Sequence, residues 1–240
     1  MKKRFVVPGM VLAVLALFAA SAAAQFEHPD LKSGKRVVNK VVVLPPRVQI
    51  TKSGVKGAEP LVDESLQVET ALPGLIAKVL SEHGCAGLDN PFTAQALEKD
   101  SDMKYALADL QGRFDEVSKK IELKPKDVRQ GRFTMGDDVT KLNPGGSADA
   151  LVFVRGAGVT NTGGKKAFAV LFGVGGAASA FDSLFIHITV VDALTGNVLY
   201  YGNAAVMGNI TDSEKMTKSI GKSFKNFVGP AASAKNPPKT

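Results

Sequence analysis

Only one cysteine, Cys85, stands among the 240 residues of the chain. One thiol cannot close an internal disulfide, so stability must come from packing even in an oxidising compartment. Histidine is nearly as scarce. His28, His83 and His187 are the full set, and none has a second ligand at helical metal spacing or an H-E-x-x-H setting. No serine occupies a G-x-S-x-G elbow, and no pair of acids stands out from the charged background. Aromatic residues make up 7% of the chain and do not interleave with its basic residues, which argues against nucleic acid as a partner. On these grounds no catalytic, cofactor-binding or metal-ligating residue is assigned, and no cofactor is expected.

What is present begins with an export signal. Lys2, Lys3 and Arg4 precede an apolar run from Phe5 to Ala20, and Ser21-Ala22-Ala23-Ala24-Gln25 follows. A basic head, a short apolar stretch and small residues at the cut define a secretory signal peptide over residues 1–24, cleaved after Ala24. The run contains Pro8-Gly9 and is shorter than the ~20 residues of a spanning helix. Cleavage lowers the formal charge from +7 to +4. Cys85 is not beside the cut, where a bacterial lipoprotein would need it, so no lipid anchor and little direct membrane association are expected. Residues 25–35, polar and holding Pro29 and Gly34, are expected as an extended N-terminal arm rather than a packed element. Residues 36–229 read as a single domain, and 230–240, rich in Ala, Lys and Pro, as a disordered tail.

Within the domain, hydrophobic patterning predicts alternating strands and helices. Val37 to Leu44 is nearly continuous and β-branched, as in a strand covered on both faces. Pro45-Pro46 then interrupts ladder donation, and Val48 and Ile50 alternate in a half-exposed continuation. Glu59 to His83 reads as a helix with the stripe Leu66, Leu72, Ile76, Val79 and Leu80, kinked or split at Pro73-Gly74. Asn90-Pro91 resembles a helix start. From Ser101 to Leu123, the residues Met103, Leu107, Leu110, Phe114, Val117 and Ile121 recur at spacings of four and three, a second amphipathic helix. Asp137 to Asn143 can form a short helix. Asp149 to Arg155 is a strong strand, and Asp182 to Met207 a hairpin in which Leu184, Ile186, Ile188 and Val190 share one face. Thr211 and Glu214 read as a capping box before a last helix with Met216, Ile220, Phe224 and Phe227 buried and Gly229-Pro230 as its stop. The expected class is α/β (α+β): a mixed, largely antiparallel sheet flanked by helices.

Several suggestive motifs lack their context. Gly221-Lys222-Ser223 resembles the end of a phosphate loop, but the upstream glycine is replaced by Met216 and the triplet lies in a predicted helix. Gly173 to Ala178 fits a loose dinucleotide pattern, with Asp192 at the ribose-acid distance, yet leaves no room for a crossover helix. His83 near Cys85 is weak evidence for a thiolate pair or metal site. His187 is read as a packed or surface residue. Asn209-Ile-Thr211 matches a glycosylation acceptor that the bacterial-looking signal makes uninformative. The basic run Lys119, Lys120, Lys124, Lys126, Arg129 and Arg132 is a solvated face in one reading and an anion-attracting surface in the other. Ala167 to Ala180, apolar and glycine-rich, reads either as a core strand with a link or as an exposed docking segment.

Taken together, Val-Val-Val-Leu-Pro-Pro (residues 41–46), the helical middle, Ala148 to Val154, and Val190-Val-Asp-Ala-Leu-Thr-Gly-Asn-Val-Leu199 before a last helix resemble one family. It comprises the periplasmic α/β domains of the curli-secretion-channel lipoprotein and of outer-membrane lipoprotein activators of cell-wall synthases. The missing lipid-attachment cysteine departs from that pattern. The resemblance implies a compact mixed sheet that binds envelope proteins without catalysis. The expectation is therefore a periplasmic or secreted, non-enzymatic interaction or assembly module with an envelope protein partner and possible self-association. An envelope hydrolase whose site forms only in three dimensions is the alternative.

Overall fold

A computed structural model describes residues 25–54, 57–161 and 182–230. The expected signal peptide over residues 1–24, the Ala167–Ala180 stretch and the expected tail beyond Pro230 lie outside the described residues. The elements are β1 (Gln25–Glu27), α1 (Pro29–Lys32), β2 (Lys40–Val43), β3 (Arg47–Gly54), β4 (Gly57–Pro60), α2 (Val62–Glu82), β5 (Ala86–Gly87), α3 (Ala94–Lys99), α4 (Ser101–Leu123), β6 (Ala150–Asn161), β7 (Ser183–Asp192), β8 (Val198–Met207) and α5 (Ser213–Ser223). Three short 3₁₀ segments, Pro125–Gln130, Asp137–Leu142 and Pro144–Gly146, connect α4 to β6.

The strands form one open, mixed sheet in the order β1-β8-β7-β6-β2-β5, with β3 beside β6 and β4 beside β3. The β6–β7–β8 meander is antiparallel, whereas β2 and β3 both run parallel to β6. The prolines explain why two strands share one neighbour. Leu44 N donates to Val152 O at 3.0 Å, Pro45 and Pro46 have no N–H to continue the ladder, and pairing resumes at Arg47 opposite Arg155. This is the α/β class that the alternating patterns predict.

Helices cover both faces of the sheet. Under α2 and α5 lies a core of Val41, Val43, Ile50, Val152, Leu184, Ile186, Ile188 and Val190 with Leu72, Ile76, Leu80, Ile220 and Phe224. Under α4 and the 3₁₀ segments, Val42, Leu44, Leu151, Phe153 and Tyr201 meet Leu107, Leu110, Phe114, Val117 and Ile121. Residues 41–44 thus alternate between the two cores, which is why that run has no polar face. The β7–β8 turn is held by Asp192, whose Oδ1 accepts from the amides of Leu194 and Thr195 at 3.0 and 2.9 Å. Gly196 completes the turn at φ 71°, where a Cβ would fall 2.3 Å from Gly136 O.

The structure corrects several sequence expectations. Residues 25–35 are packed: β1 pairs with β8 through Gln25↔Gly202, Phe26↔Tyr201 and Glu27↔Tyr200, and Leu31 is fully buried. Polar composition hid this, because the Gln25 side chain bonds to the end of α5 and the turn after it, donating to Lys222 O and accepting from Asn226 N. Helix α2 runs unbroken through Pro73. Leu66 faces solvent at 60% exposure, and Val68 takes its place in the buried stripe. The helix after Asn90 starts at Ala94 with Thr93 as its cap, while Asn90 Oδ1 accepts from Phe92 N in a turn. Asp212, not Thr211, caps α5, accepting from Glu214 N and Lys215 N.

Candidate functional site

Alternation along β6, β7 and β8 sends Arg155, His187, Tyr201 and Asn203 to the α4 side of the sheet. Register places Arg155 opposite His187, and His187 opposite Asn203. The last turns of α4 lie over this row. Glu122 forms an ion pair with Arg155 and stands 3.6 Å from His187 Nδ1, while that same nitrogen lies 2.8 Å from the Tyr201 hydroxyl. Two turns earlier on α4, Asp115 binds Arg47 at 2.9 Å, and Arg47 is the β3 neighbour of Arg155. Each of these strand arginines is therefore paired with a carboxylate of α4.

Burial decides the protonation states. The His187 pKa is pushed down to about 4, first by burial and then by the Arg155 charge, with a hydrogen bond to Asn203 working in the opposite direction. The ring is thus neutral at physiological pH. Burial likewise raises Tyr201 well above the ordinary phenol range, with the Glu122 charge adding to it. Two further hydroxyls on this side of the sheet, Ser118 Oγ on α4 and Thr189 Oγ1 on β7, are fully buried without a hydrogen-bond partner. Such a cluster can hold a neutral imidazole beside a phenol and an ion pair, and any chemistry there would use His187 as a weak base.

The other weighed residues are scattered. His28 Nδ1 accepts from Asp30 N at 3.1 Å at the start of α1. His83 caps the end of α2 and packs edge-on against Phe227 at 5.7 Å. Cys85 Sγ reaches Val38 O at 3.2 Å, and burial, with Asp149 nearby, pushes its thiol up to about 11, the opposite of an activated thiolate. Gly221-Lys222-Ser223 lies in the last turn of α5, where Ser223 O accepts from Tyr200 Oη at 2.6 Å. Asp192 is a structural turn residue. Burial alone would raise its carboxyl, but the Thr195 and Leu194 amides and Arg36 hold it below the usual carboxylate range. Among the described residues no three of His, Cys, Asp and Glu converge to hold a metal ion, and no helix is long and apolar enough to cross a membrane.

Sequence reasoning missed Glu122, Arg155 and Tyr201 as neighbours of His187. The sequence shows only that Arg155 and His187 are polar positions on a strand face that an amphipathic helix has to cover, with no spacing that joins them to Glu122 or Tyr201.

No protein-family model and no curated protein matches the chain. Among solved structures it is similar to lipoprotein GNA1162 from Neisseria meningitidis, at 14% identity and TM-score 0.37 over 78% of this chain and 96% of that one. It is also similar to the PelC dodecamer from Paraburkholderia phytofirmans, at 13% identity and TM-score 0.37 over 86% and 96%. The hypothetical protein CT253 from Chlamydia trachomatis shares 11% identity at TM-score 0.34 over 82% and 97%.

Proposed function

We propose that the chain is an exported protein of a bacterial envelope, released after Ala24, that acts as a non-catalytic protein-interaction or assembly module in the periplasm or medium. The observation that carries this reading is the placement of large apolar side chains on the outer faces of packed helices. Val62, Leu66 and Leu123 are 70%, 60% and 82% exposed, although both helices have well-filled inner stripes. Scattered exposed leucines are ordinary, but these stand beside Asp63, Glu64, Lys120 and Lys124, none of which forms an ion pair with a described residue. The test is crosslinking in intact cells followed by identification of captured proteins, with an intact mass to fix the N-terminus. Capture of a defined envelope protein by a chain beginning at Gln25 is expected; retention of residues 1–24 or no specific capture would count against it.

A second reading, an envelope hydrolase, draws on His187, whose depressed pKa and polar neighbours are features of catalytic sites as well as of structural networks. Turnover of an envelope ester, amide or glycan that is lost in His187→Gln, with the fold intact, would favour it.

A further inference from the structure

We infer that the β1 edge of the sheet is a membrane-contacting surface, which lies on an anionic lipid bilayer without crossing it. This surface is separate from the exposed apolar residues of α2 and α4 that the protein-partner reading uses. The formal charge of +4 left after cleavage is mild, but the fold concentrates cations at this edge. Phe26 of β1 faces the α4 side of the sheet, where Arg129 stacks 5.0 Å over its ring. Lys126 lies on the same 3₁₀ segment, one turn earlier. On the opposite side Gln25 donates to Lys222 O at 2.5 Å and accepts from Asn226 N at 3.0 Å, which seats Lys222 and Lys225 beside the strand. Lys32 ends α1, which follows β1 directly. All five cations are exposed, and none forms an ion pair with a described residue. Of the nearby acids, Asp127 is paired with Arg132, and Glu27 and Asp30 leave a clear excess of positive charge. The cations come from segments far apart in the chain and meet only because β1 packs between them.

The place where the chain enters the sheet selects a bilayer over a soluble polyanion. Upstream of Gln25 only Ser21 to Ala24 separate the fold from the apolar export run that ends at Ala20. Four residues reach at most about 14 Å, and Gln25 is already paired with Gly202. A domain that folds while the export run is still in the bilayer therefore presents its β1 edge to the headgroups. Lysine and arginine held at that level attract anionic lipid, each adding to the binding. After the cut the same cations keep the released chain on the surface it has crossed, a contact that salt can reverse because no apolar anchor supports it.

The test is flotation of the chain beginning at Gln25 with phosphatidylcholine vesicles and with vesicles that also carry phosphatidylglycerol. The expected result is binding only where phosphatidylglycerol is present, weakening as salt screens the charges. Lys126→Gln with Lys225→Gln removes one cation from each side of the edge and should weaken binding by about tenfold or more. Lys99→Gln with Lys104→Gln makes the same change in net charge near the start of α4, about 30 Å along that helix from its end, and should weaken binding by less than about twofold. All four lysines are exposed and unpaired, so neither pair should move the melting temperature. Leu66→Asp, which tests the protein-partner reading, should leave vesicle binding unchanged, and capture of an envelope protein in cells stands or falls separately. Failure to bind phosphatidylglycerol vesicles, equal binding to both vesicle types, or equal losses in the two lysine pairs would overturn the proposal. So would a chain that binds soluble polyphosphate but leaves the vesicles alone.

Discussion

The two faces of the sheet are built differently. The face under α2 and α5 is mostly aliphatic and aromatic: Tyr200 stacks on Phe224 at 5.3 Å, Phe227 meets both edge-on, and the Tyr200 hydroxyl donates to Ser223 O, with the Glu27 carboxyl at the β1 edge as a polar exception. The face under α4 begins the same way, with Phe114 against Phe153 at 5.2 Å. It then passes into His187, Arg155, Glu122 and two orphaned hydroxyls. The difference teaches where stability resides and where it has been given up, since apolar burial drives folding while partly satisfied buried polar groups oppose it.

The largest effect should come from the aromatic side. Phe224 is fully buried between Tyr200 and Phe227 and closes the end of α5. Phe224→Ala removes its transfer energy and leaves a cavity between rings, an expected loss of about 3–5 kcal/mol in denaturant unfolding. A loss below about 1 kcal/mol would mean that this face can collapse around the gap, and the contrast between faces would weaken.

The polar face should show itself through pH. The folded pKa of His187, about 4, lies below the ordinary imidazole value of ~6.5. Between those values the unfolded chain binds the extra proton. Stability from this group is complete above about pH 6.5 and falls as the pH drops toward 4, by up to roughly 3 kcal/mol. His187→Gln, which cannot titrate, should lose that part of the acid sensitivity. Equal slopes for wild type and variant between about pH 4 and 6.5 would show that the ring takes up its proton in the folded state as it does in the unfolded chain.

Patterning made the sheet and its helices legible because burial on one face imposes a period that residues cannot disguise. Leu184, Ile186, Ile188 and Val190 do share the α2 and α5 core, and the stripe from Leu107 to Ile121 is buried as its spacing predicts. Local chemistry was less legible. Thr211 and Asp212 can each cap a helix, and only the backbone geometry chooses Asp212. The arm at Gln25 to Lys35 reads as polar because its stabilising contacts are a three-residue strand pairing and side-chain bonds to α5, neither of which has a periodic signature. The His187 cluster was illegible for a similar reason. Its members come from one helix and three strands and meet only through register, so no spacing in the chain announces them.

The smallest predicted effect separates a wasteful polar face from a satisfied one. Ser118 lies on α4 between Phe114 and Glu122, and its hydroxyl makes no bond even to the preceding helical turn, unlike Thr70, which donates to Leu66 O at 2.8 Å. Thr189 lies between Phe153 and Tyr201 by register and is likewise fully buried. A buried hydroxyl without a partner loses its hydration and gains nothing in return. Ser118→Ala also improves helix propensity, and Thr189→Val keeps the branched shape while removing the polar atom. Each should therefore stabilise the protein by about 1 kcal/mol in denaturant unfolding, with m unchanged. If either variant instead loses that much, its hydroxyl has a partner in solution, such as a bound water. The polar face would then be a complete network, and the difference between the two faces would be one of chemistry rather than of stability.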